Sequence, residues 1–546
     1  MNKAYQEIIQ NKDVRDFEKL KIKVAKKYHL SKIPRNIELL ITNPKSNIKS
    51  KPSRTISGVA PVAIMTMPMK CPHGTCTFCP GGPGSYFGDV PQSYTGNEPA
   101  SMRAIRNKFD PYLQVFNRLE QYALLNHDFS KCEVIIMSGT FLSSPNDYIN
   151  DFIKFTYKAF NDFSKIFFIN NKFQFDKFKD FFELGGNFKD LERVKRIQEK
   201  LFTLKGNCTL EEEQLKNEKA NCRIVALCIE TKPDWSKVSH INEMLKLGTT
   251  RVEVGAQSLY DEVLKITNRG HTVKDTIEST QLLKDSFLKV TYHMMPGLPL
   301  SNKQRDIEMF KELFANQDFR PDSLKIYPCL VMPGTGLYQL WKQGKFNPIN
   351  LEEAADIITE AKKYIPEYVR IMRIQRDIPT KVTAAGVERT NLRQYVNDLL
   401  IKKGISCNCI RCREPRNKEI DFNKVKIHKN IYEASKGTEI FLSAESKNVL
   451  LGFCRLRIPY KPFRKEITQN SAGIRELHVY GTATALGERG IVQHRGIGKD
   501  LLRYAEEIAK DNYDIKKMLV ISGIGVREYY SNLGYKKEDP YMIKLL

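Results

Sequence analysis

The chain has only two tryptophans, no low-complexity linker, no internal repeat and no long apolar run. Nothing approaches the ~18 consecutive apolar residues that a spanning helix needs, which excludes a helical membrane protein. The opening residues Met1-Asn2-Lys3-Ala4-Tyr5-Gln6-Glu7 lack the apolar core of a secretory signal, so a soluble, cytoplasmic protein is expected. Acids are scarcest between residues 19 and 54. There Lys19, Lys21, Lys23, Lys26, Lys27, Lys32, Arg35, Lys45, Lys49, Lys51 and Arg54 face a single acid, Glu38. A helix near 15–30 followed by a Pro- and Ser-containing basic stretch suits phosphate contacts, although a solvated charged face is the commoner meaning of a charge run.

What the chain does have is size and positive charge. Its 546 residues exceed one hydrophobic core and suggest three or four units. With 41% apolar and 27% charged residues it is globular in composition. A net charge of +24 attracts polyanions, nucleic acid before an anionic membrane surface.

Twelve cysteines in a reducing compartment point to metal or redox-cofactor ligation rather than disulfides. Six of them form two tight groups. Cys71, Cys76 and Cys79 are spaced C-x4-C-x2-C on one loop. A cubic iron–sulfur cluster takes four ligands, so three thiolates leave one iron for a substrate or cofactor. That arrangement lets a cluster donate an electron into S-adenosylmethionine. A zinc site using His73 with the three thiols is the alternative. Cys407, Cys409 and Cys412, spaced C-x-C-x2-C, suit a structural zinc joining two domains. The fourth ligand is open among His271, His428 and Cys454, and a second cluster is the lesser reading.

Candidate strands are Pro61–Met65, Glu133–Ser138, Arg223–Glu230, Arg251–Gly255, Lys289–Met294, Ser323–Tyr327 and Val369–Gln375. Several are continuous runs of β-branched residues, as in strands buried on both faces. Helical connections of tens of residues between them imply parallel βα units closing into a partial barrel. Residues 160–220, rich in Lys, Phe and Asn, read as helical elaboration without an assigned function. After Cys412 the pattern changes to antiparallel strands near 438–443, 449–456 and 473–480. A helix over 497–510, a strand at 517–522, a short helix and a last strand at 541–545 complete a small α+β domain. The fold class is therefore α/β, a partial (βα) barrel followed by an α+β domain. Expected boundaries are a basic segment over 1–60, an iron–sulfur barrel over 61–345, a cysteine-rich link over 346–415 and the α+β domain over 416–546.

Gln493-His494-Arg495-Gly496-Ile497-Gly498 matches Q/R-x-x-G-x-G/A, the pyrophosphate loop of the Gcn5-related acetyltransferase fold. Its glycines let backbone N–H groups point at phosphate oxygens at a helix start. It is not a Walker A loop, because Gln493 stands where glycine is required and Asp500 follows Lys499.

An ordered set of strings carries a resemblance. The set is C-P-H-G-T-C-T-F-C-P-G-G-P-G-S from Cys71, Q-S-Y-T-G-N-E-P from Gln92, and S-M-R-A-I-R from Ser101. It continues with I-E-T-K-P-D from Ile229, G-A-Q-S from Gly255, N-R-G-H-T from Asn268, M-M-P-G-L-P from Met294 and Q-R-D-I-P from Gln375. From about residue 51 to the C-terminus the chain resembles the catalytic subunit of the Elongator complex, in its stand-alone archaeal or bacterial type. The resemblance implies a radical-SAM domain and an acetyltransferase-like domain acting on one wobble uridine in the anticodon region of tRNA. It implies a [4Fe-4S] cluster, S-adenosylmethionine, acetyl-CoA and an electron donor. The implied chemistry runs from a S-adenosylmethionine-derived radical to an acetyl radical that adds to carbon 5 of the base. Thioester hydrolysis then leaves a carboxymethyl group.

By the same resemblance Ser138-Gly139-Thr140 meets the amino end of S-adenosylmethionine. The family has Gly-Gly-Thr there, and serine leaves less room for close approach than glycine. Glu230 and Gln257 are implied cofactor contacts. Glu476, Leu477, His478, Val479, Val492, Gln493, His494, Arg495, Gly496 and Gly498 are implied at acetyl-CoA. Tyr530, with Tyr529, is implied at the thioester, and Lys131 at the acyl-CoA from the barrel side. The tyrosine pair also reads as plain core packing. Two other functions stay open on the residues: a protein lysine acetyltransferase with a structural iron–sulfur domain, and a non-catalytic tRNA-binding scaffold. Homodimer and accessory subunits are likewise undecided.

Overall fold

In the computed structural model the described residues are 2–546 except 15, 47, 49–54, 56, 186–189, 417 and 482–495. The seven apolar runs form one sheet of seven parallel strands. They are β1 (Ala60–Met65), β2 (Lys131–Met137), β3 (Arg223–Thr231), β4 (Arg251–Gln257), β5 (Lys289–Met294), β6 (Ser323–Ile326) and β7 (Arg370–Ile374), paired in chain order. The register runs from Ala60 opposite Cys132 to Ile374 opposite Ile326. Successive crossovers carry helices on one face, and a sheet of this order curls into an open half-barrel. Its wall is apolar, with Val62, Ile64, Val134, Ile136, Ile229, Val252, Val254 and Val290 all fully buried. The sheet does not stop at residue 345, because β7 lies well inside the cysteine-rich link and completes it.

The described residues between 160 and 220 are mostly helical, with a small hairpin, Phe168–Ile169 with Lys172–Phe173. Their phenylalanines are core. Phe163 packs against Phe116 and, edge-on, against Phe129, and Phe167, Phe178 and Phe182 extend the cluster ring to ring on the barrel's outer layer. Each buried ring stabilises by about 1.5–3 kcal/mol relative to an exposed one.

The N-terminal segment holds three short helices, Asn2–Gln10, Phe17–Lys27 and Asn36–Thr42, around a separate core of Ala4, Tyr5, Ile8, Val24 and Leu39. Only the middle helix was legible as a pattern. The basic run is partly spent inside this unit. Lys21 is buried against Asn36 and Glu18, Lys27 pairs with Glu7, and Lys32 and Arg35 share Glu38. Lys23 and Lys26 face solvent. Lys49, Lys51 and Arg54 lie outside the described residues.

The C-terminal domain is a second seven-stranded sheet. Its strands are β8 (Lys426–Ala434), β9 (Gly437–Ser446), β10 (Val449–Ile458), β11 (Ser471–Val479), β12 (Lys517–Val520), β13 (Lys536–Glu538) and β14 (Tyr541–Leu545). Strands β8 and β13 were not read from the sequence. β8 is exposed along most of its length, so it lacks the apolar signal of a core strand. β11 and β12 run parallel from Ser471 and Lys517 as far as Ile474 and Val520. Beyond that point β12 ends and, among the described residues, β11 continues alone on that side to Val479, so the sheet splits.

The N-terminal ends of the barrel strands dock on this second sheet through ion pairs that exclude water. Arg475 pairs with Asp322, Arg457 with Asp285 at 2.6 Å and Glu439 at 3.0 Å, and Lys284 with Glu439 at 3.4 Å. Arg455 donates to the Tyr368 carbonyl at 2.6 Å. Burial alone would push the Asp322 carboxyl up, but Arg475, Lys284 and Arg455 hold it far below the usual carboxylate range. Backbone contact is equally close: a Cβ on Gly523 would lie 2.1 Å from the Val225 carbonyl oxygen, so only glycine fits.

No helix among the described residues is long and apolar enough to cross a membrane.

Candidate active site

At the C-terminal ends of the barrel strands lies a cleft that opens to solvent. This is where parallel α/β sheets carry their ligands, because loops and strand ends converge there. The cleft is lined by Ser138 and Gly139, which follow β2, by Glu230 of β3 and by Gln257 of β4. All were expected at S-adenosylmethionine. Thr140 is buried beside them, its hydroxyl 3.5 Å from Cys71 Sγ. Ser138 Oγ accepts from Thr66 at 3.1 Å, so the serine that replaces glycine is tied back to the barrel. Gln257 has φ 67°, a left-handed conformation rare outside glycine, which turns its side chain out of the strand. Its buried Oε1 has no protein partner.

The loop carrying the first cysteines closes one side of the cleft. Arg269 Nη1 donates to Cys76 Sγ at 3.1 Å, and the Ser93 backbone N–H donates to Cys79 Sγ at 3.1 Å. Burial pushes the Cys79 thiol up to about 11, so a thiolate there needs a metal. The three sulfurs, even with His73, do not all come within 4.8 Å of one another. A single zinc ion would draw its ligands closer than that, with S···S about 3.8 Å for Zn–S bonds of about 2.3 Å. The wider spread fits a multi-iron cluster. His73 Nε2 lies 3.2 Å from Cys76 Sγ, and burial lowers its imidazole to about 4, so it is neutral at physiological pH.

Cys407, Cys409 and Cys412 behave differently. Their sulfurs all lie within 4.8 Å of one another, a geometry that can hold one metal ion. None of the three candidate fourth ligands joins them. His271 is buried in the barrel near Lys232 and Arg269, His428 is exposed on β8, and Cys454 lies in the C-terminal core. The Lys362 ammonium is 3.7 Å from Cys412 Sγ.

Several cleft residues escaped sequence reasoning. Glu253 of β4 is fully buried and accepts from Arg251, Lys325 and His293, the last at 2.8 Å. Burial pushes its carboxyl up, but Lys325 and Arg251 hold it well below the usual range. Lys325 Nζ also lies 3.5 Å from Glu230, whose other oxygen accepts from the Tyr94 hydroxyl at 2.8 Å. Glu230, Glu253 and His293 could chelate a cation, but the ammonium of Lys325 already lies against both carboxylates. The signal that finds these residues is a charge inside an apolar strand: Glu253 in RVEVGAQ, His293 in KVTYHM and Lys325 in SLKI.

In the C-terminal domain the splayed β11 divides its four expected contacts between two faces. Glu476 and His478 face the barrel. Glu476 accepts from Lys289, the first residue of β5, and from Arg455 at 2.9 Å. Burial raises its carboxyl, but Lys289 and Arg455 outweigh this and hold it at about 2. Burial lowers the His478 imidazole to about 4. Leu477 and Val479 face the helix Ile497–Tyr513 and its flanking core. Gly496 caps that helix at φ 88°, a conformation that glycine adopts without strain. Val492, Gln493, His494 and Arg495 lie outside the described residues.

Tyr529 and Tyr530 sit edge-on to each other on the short helix Arg527–Ser531. Tyr530 packs in the core against Tyr535. The Tyr529 hydroxyl reaches the start of the long helix, 3.1 Å from where a Cβ on Gly498 would stand. Lys131 opens β2 opposite Arg223, which bonds Glu528 beside the tyrosines at 3.0 Å. Burial lowers the Lys131 ammonium.

Residues 65–313 match the family model of the radical SAM superfamily and residues 321–402 that of the radical SAM C-terminal domain. Residues 410–535 match the acetyltransferase (GNAT) family. The chain is 48% identical over 511 residues to a tRNA uridine(34) acetyltransferase of Methanocaldococcus infernus, covering 91% of this chain and 88% of that one. It is 40% identical over 545 residues to Elongator complex protein 3 of Saccharomyces cerevisiae, covering 96% and 90%. Among solved structures, the N-terminally deleted Elp3 of Methanocaldococcus infernus aligns at 44% identity with a TM-score of 0.73, covering 90% of this chain and 100% of that one.

Proposed function

The chain belongs to the family of the tRNA uridine(34) acetyltransferases and Elongator complex protein 3, and on that premise we propose that it converts the wobble uridine of tRNA to 5-carboxymethyluridine. The observation that carries this reading is the cleft, where one barrel mouth gathers the three-thiol loop, the 138–140 turn, Glu230 and Gln257. The opposite end of the same barrel is locked to an acetyltransferase domain by buried ion pairs. When bound, a [4Fe-4S] cluster with S-adenosylmethionine supplies a 5′-deoxyadenosyl radical, and acetyl-CoA supplies the two-carbon unit.

Cys71, Cys76 and Cys79 hold the cluster. Arg269 and the Ser93 N–H donate to two of their sulfurs, which stabilises thiolate charge in a dry site. Ser138, Gly139 and Thr140 offer backbone and hydroxyl groups to the amino end of S-adenosylmethionine, and Glu230 and Gln257 bind its remaining polar groups. Leu477 to Val479, with Gly496 and Gly498, present backbone to acetyl-CoA at the split in the sheet, and residues 492–495 complete that loop. Tyr529, rather than the core-packed Tyr530, directs its hydroxyl toward the thioester, with Lys131 on the barrel side. Cys407, Cys409 and Cys412 hold a structural zinc. The exposed lysines of the N-terminal helices take tRNA phosphates. The enzyme works in the cytoplasm with an external electron donor.

The test incubates anaerobically reconstituted protein with reductant, S-adenosylmethionine, acetyl-CoA and tRNA, followed by mass spectrometry of the nucleosides. The expected product is 5-carboxymethyluridine, absent with Cys76→Ala. Acetylated protein without modified uridine would instead establish a lysine acetyltransferase. Tight tRNA binding with no turnover of either kind would establish a scaffold.

A further inference from the structure

We propose that Arg376 is a substrate-binding residue that takes a phosphate oxygen flanking the target uridine as the RNA enters the cleft; this rests on the tRNA reading above.

Three observations carry it. First, the chain is bent to put this side chain in the cleft. β7 ends at Ile374, and Gln375 follows at φ 75°, a left-handed conformation that costs a non-glycine residue about 1 kcal/mol or more. The bend is clamped from three directions. The Gln375 N–H donates to the Ile326 carbonyl at 2.8 Å, its Oε1 accepts from the Leu392 N–H at 3.3 Å, and its Nε2 donates to the Arg389 carbonyl. A fold that holds a strained residue this firmly fixes the position of what comes next.

Second, the guanidinium is pre-organised. It lies 5.6 Å from the Tyr94 ring centroid and 6.0 Å from that of Tyr327, between two aromatic faces, and donates to the Ser93 carbonyl. Aromatic faces hold a guanidinium plane while leaving its edge free to hydrogen-bond. Ser93 belongs to the loop whose N–H holds Cys79, so Arg376 also bridges the cysteine loop to the last strand of the sheet.

Third, it has no anion among the described residues. The neighbouring Arg373 is neutralised by Asp377 at 2.6 Å. Among the described residues, no carboxylate lies within ion-pair distance of Arg376, although it is half-buried in the cleft lining. A partly desolvated guanidinium without a counter-ion is unfavourable until one arrives. Arg376 stands just past the end of the terminal strand β7, beside exposed Asp377 at the mouth, whereas the turn assigned to S-adenosylmethionine follows β2 near the other edge of the sheet. The anion that reaches the mouth with the substrate is an RNA phosphate.

The test measures equilibrium binding of an anticodon stem–loop with uridine at the wobble position to the full-length, cluster-reconstituted protein, without acetyl-CoA. A parallel set of RNAs carries single neutral methylphosphonates at the phosphates flanking that uridine. Arg376→Gln is expected to weaken the unmodified RNA about tenfold and to lower the slope of log K against log salt by about one. One methylphosphonate should weaken wild type similarly and leave R376Q unchanged, the coupling expected of a direct contact. Arg376→Lys should keep the salt slope while losing part of the affinity, which separates charge from folding.

Additive losses, or an R376Q variant that binds every RNA like wild type, overturn the proposal. So does a defect confined to S-adenosylmethionine affinity, read by equilibrium dialysis, which would assign Arg376 to that carboxylate. If wild type fails to bind the stem–loop at all, it is the tRNA reading itself that falls.

Discussion

The two cysteine groups use the same side chain in threes, yet the fold sets their sulfurs apart in one case and together in the other. Cys71, Cys76 and Cys79 sit on the loop that borders an open cleft, their sulfurs not all within 4.8 Å of one another, with Arg269 and a backbone N–H aimed at individual sulfurs. Cys407, Cys409 and Cys412 converge within 4.8 Å at the junction of the two domains, beside a buried lysine. The spacing in sequence differs by only a few residues. What separates a reactive centre from a clasp is whether the loop faces a cavity lined with further polar groups or packs between folded units. The same contrast holds for charge. At the cleft, Arg376 and Gln257 Oε1 have polar capacity left for a ligand, whereas at the junction charges such as Arg457, Asp285, Arg475 and Asp322 are paired.

The largest effect should come from Cys76→Ala. Product and bound iron are expected to vanish while the thermal midpoint barely moves, measured by nucleoside mass spectrometry, iron content and calorimetry. Cys409→Ala should do the reverse, removing zinc and destabilising on the order of 5 kcal/mol, with the first group still able to take iron. If each substitution lost both metals, the division of roles between the groups would collapse.

Asp322→Asn asks how much of the junction is held by ions rather than by the metal clasp. It removes one of the two carboxylates beside each of Arg475 and Arg455, which keep Glu439 and Glu476, and should destabilise by about 3 kcal/mol in urea titrations. A loss under 1 kcal/mol would mean that the clasp dominates.

Glu476 gives the comparison a pH axis. Its folded pKa of about 2 lies below its ordinary value of 4.5. The stability it contributes is therefore fully present above about pH 4.5 and is lost as pH falls toward 2. The shift corresponds to about 3 kcal/mol. Glu476→Gln should accordingly be less stable at pH 7 and approach wild type near pH 2. Parallel acid limbs in the two proteins would contradict this.

The smallest effect belongs to Ser138→Gly. Restoring the family glycine removes a hydroxyl held by Thr66 and should change S-adenosylmethionine affinity by no more than about threefold, under 1 kcal/mol.

The seven barrel strands, the helix after Gly496 and both cysteine groups could be read from the chain, because each has a local signature: an apolar run, a capped amphipathic stretch or a fixed spacing. The exposed strand Lys426–Ala434 has no such signature, since only pairing with Gly437–Ser446 makes it a strand. The basic run shows the limit from the other side. Its composition is plain, but which basic side chains reach solvent depends on three helices that put Glu7 against Lys27 and Glu38 against Lys32 and Arg35.

By itself the sequence determined the chemistry on offer: thiols in threes, a phosphate loop, a basic segment and an alternation of strand and helix. These follow from residue type and near spacing, which local stereochemistry turns directly into structure. Only the tertiary structure decided which charges stand alone. Arg376, Arg457 and Arg475 are indistinguishable as letters. Folding sets two of them against buried carboxylates and leaves the third between two aromatic rings at an open mouth, because ion pairing in a low-dielectric interior depends on partners brought from distant parts of the chain.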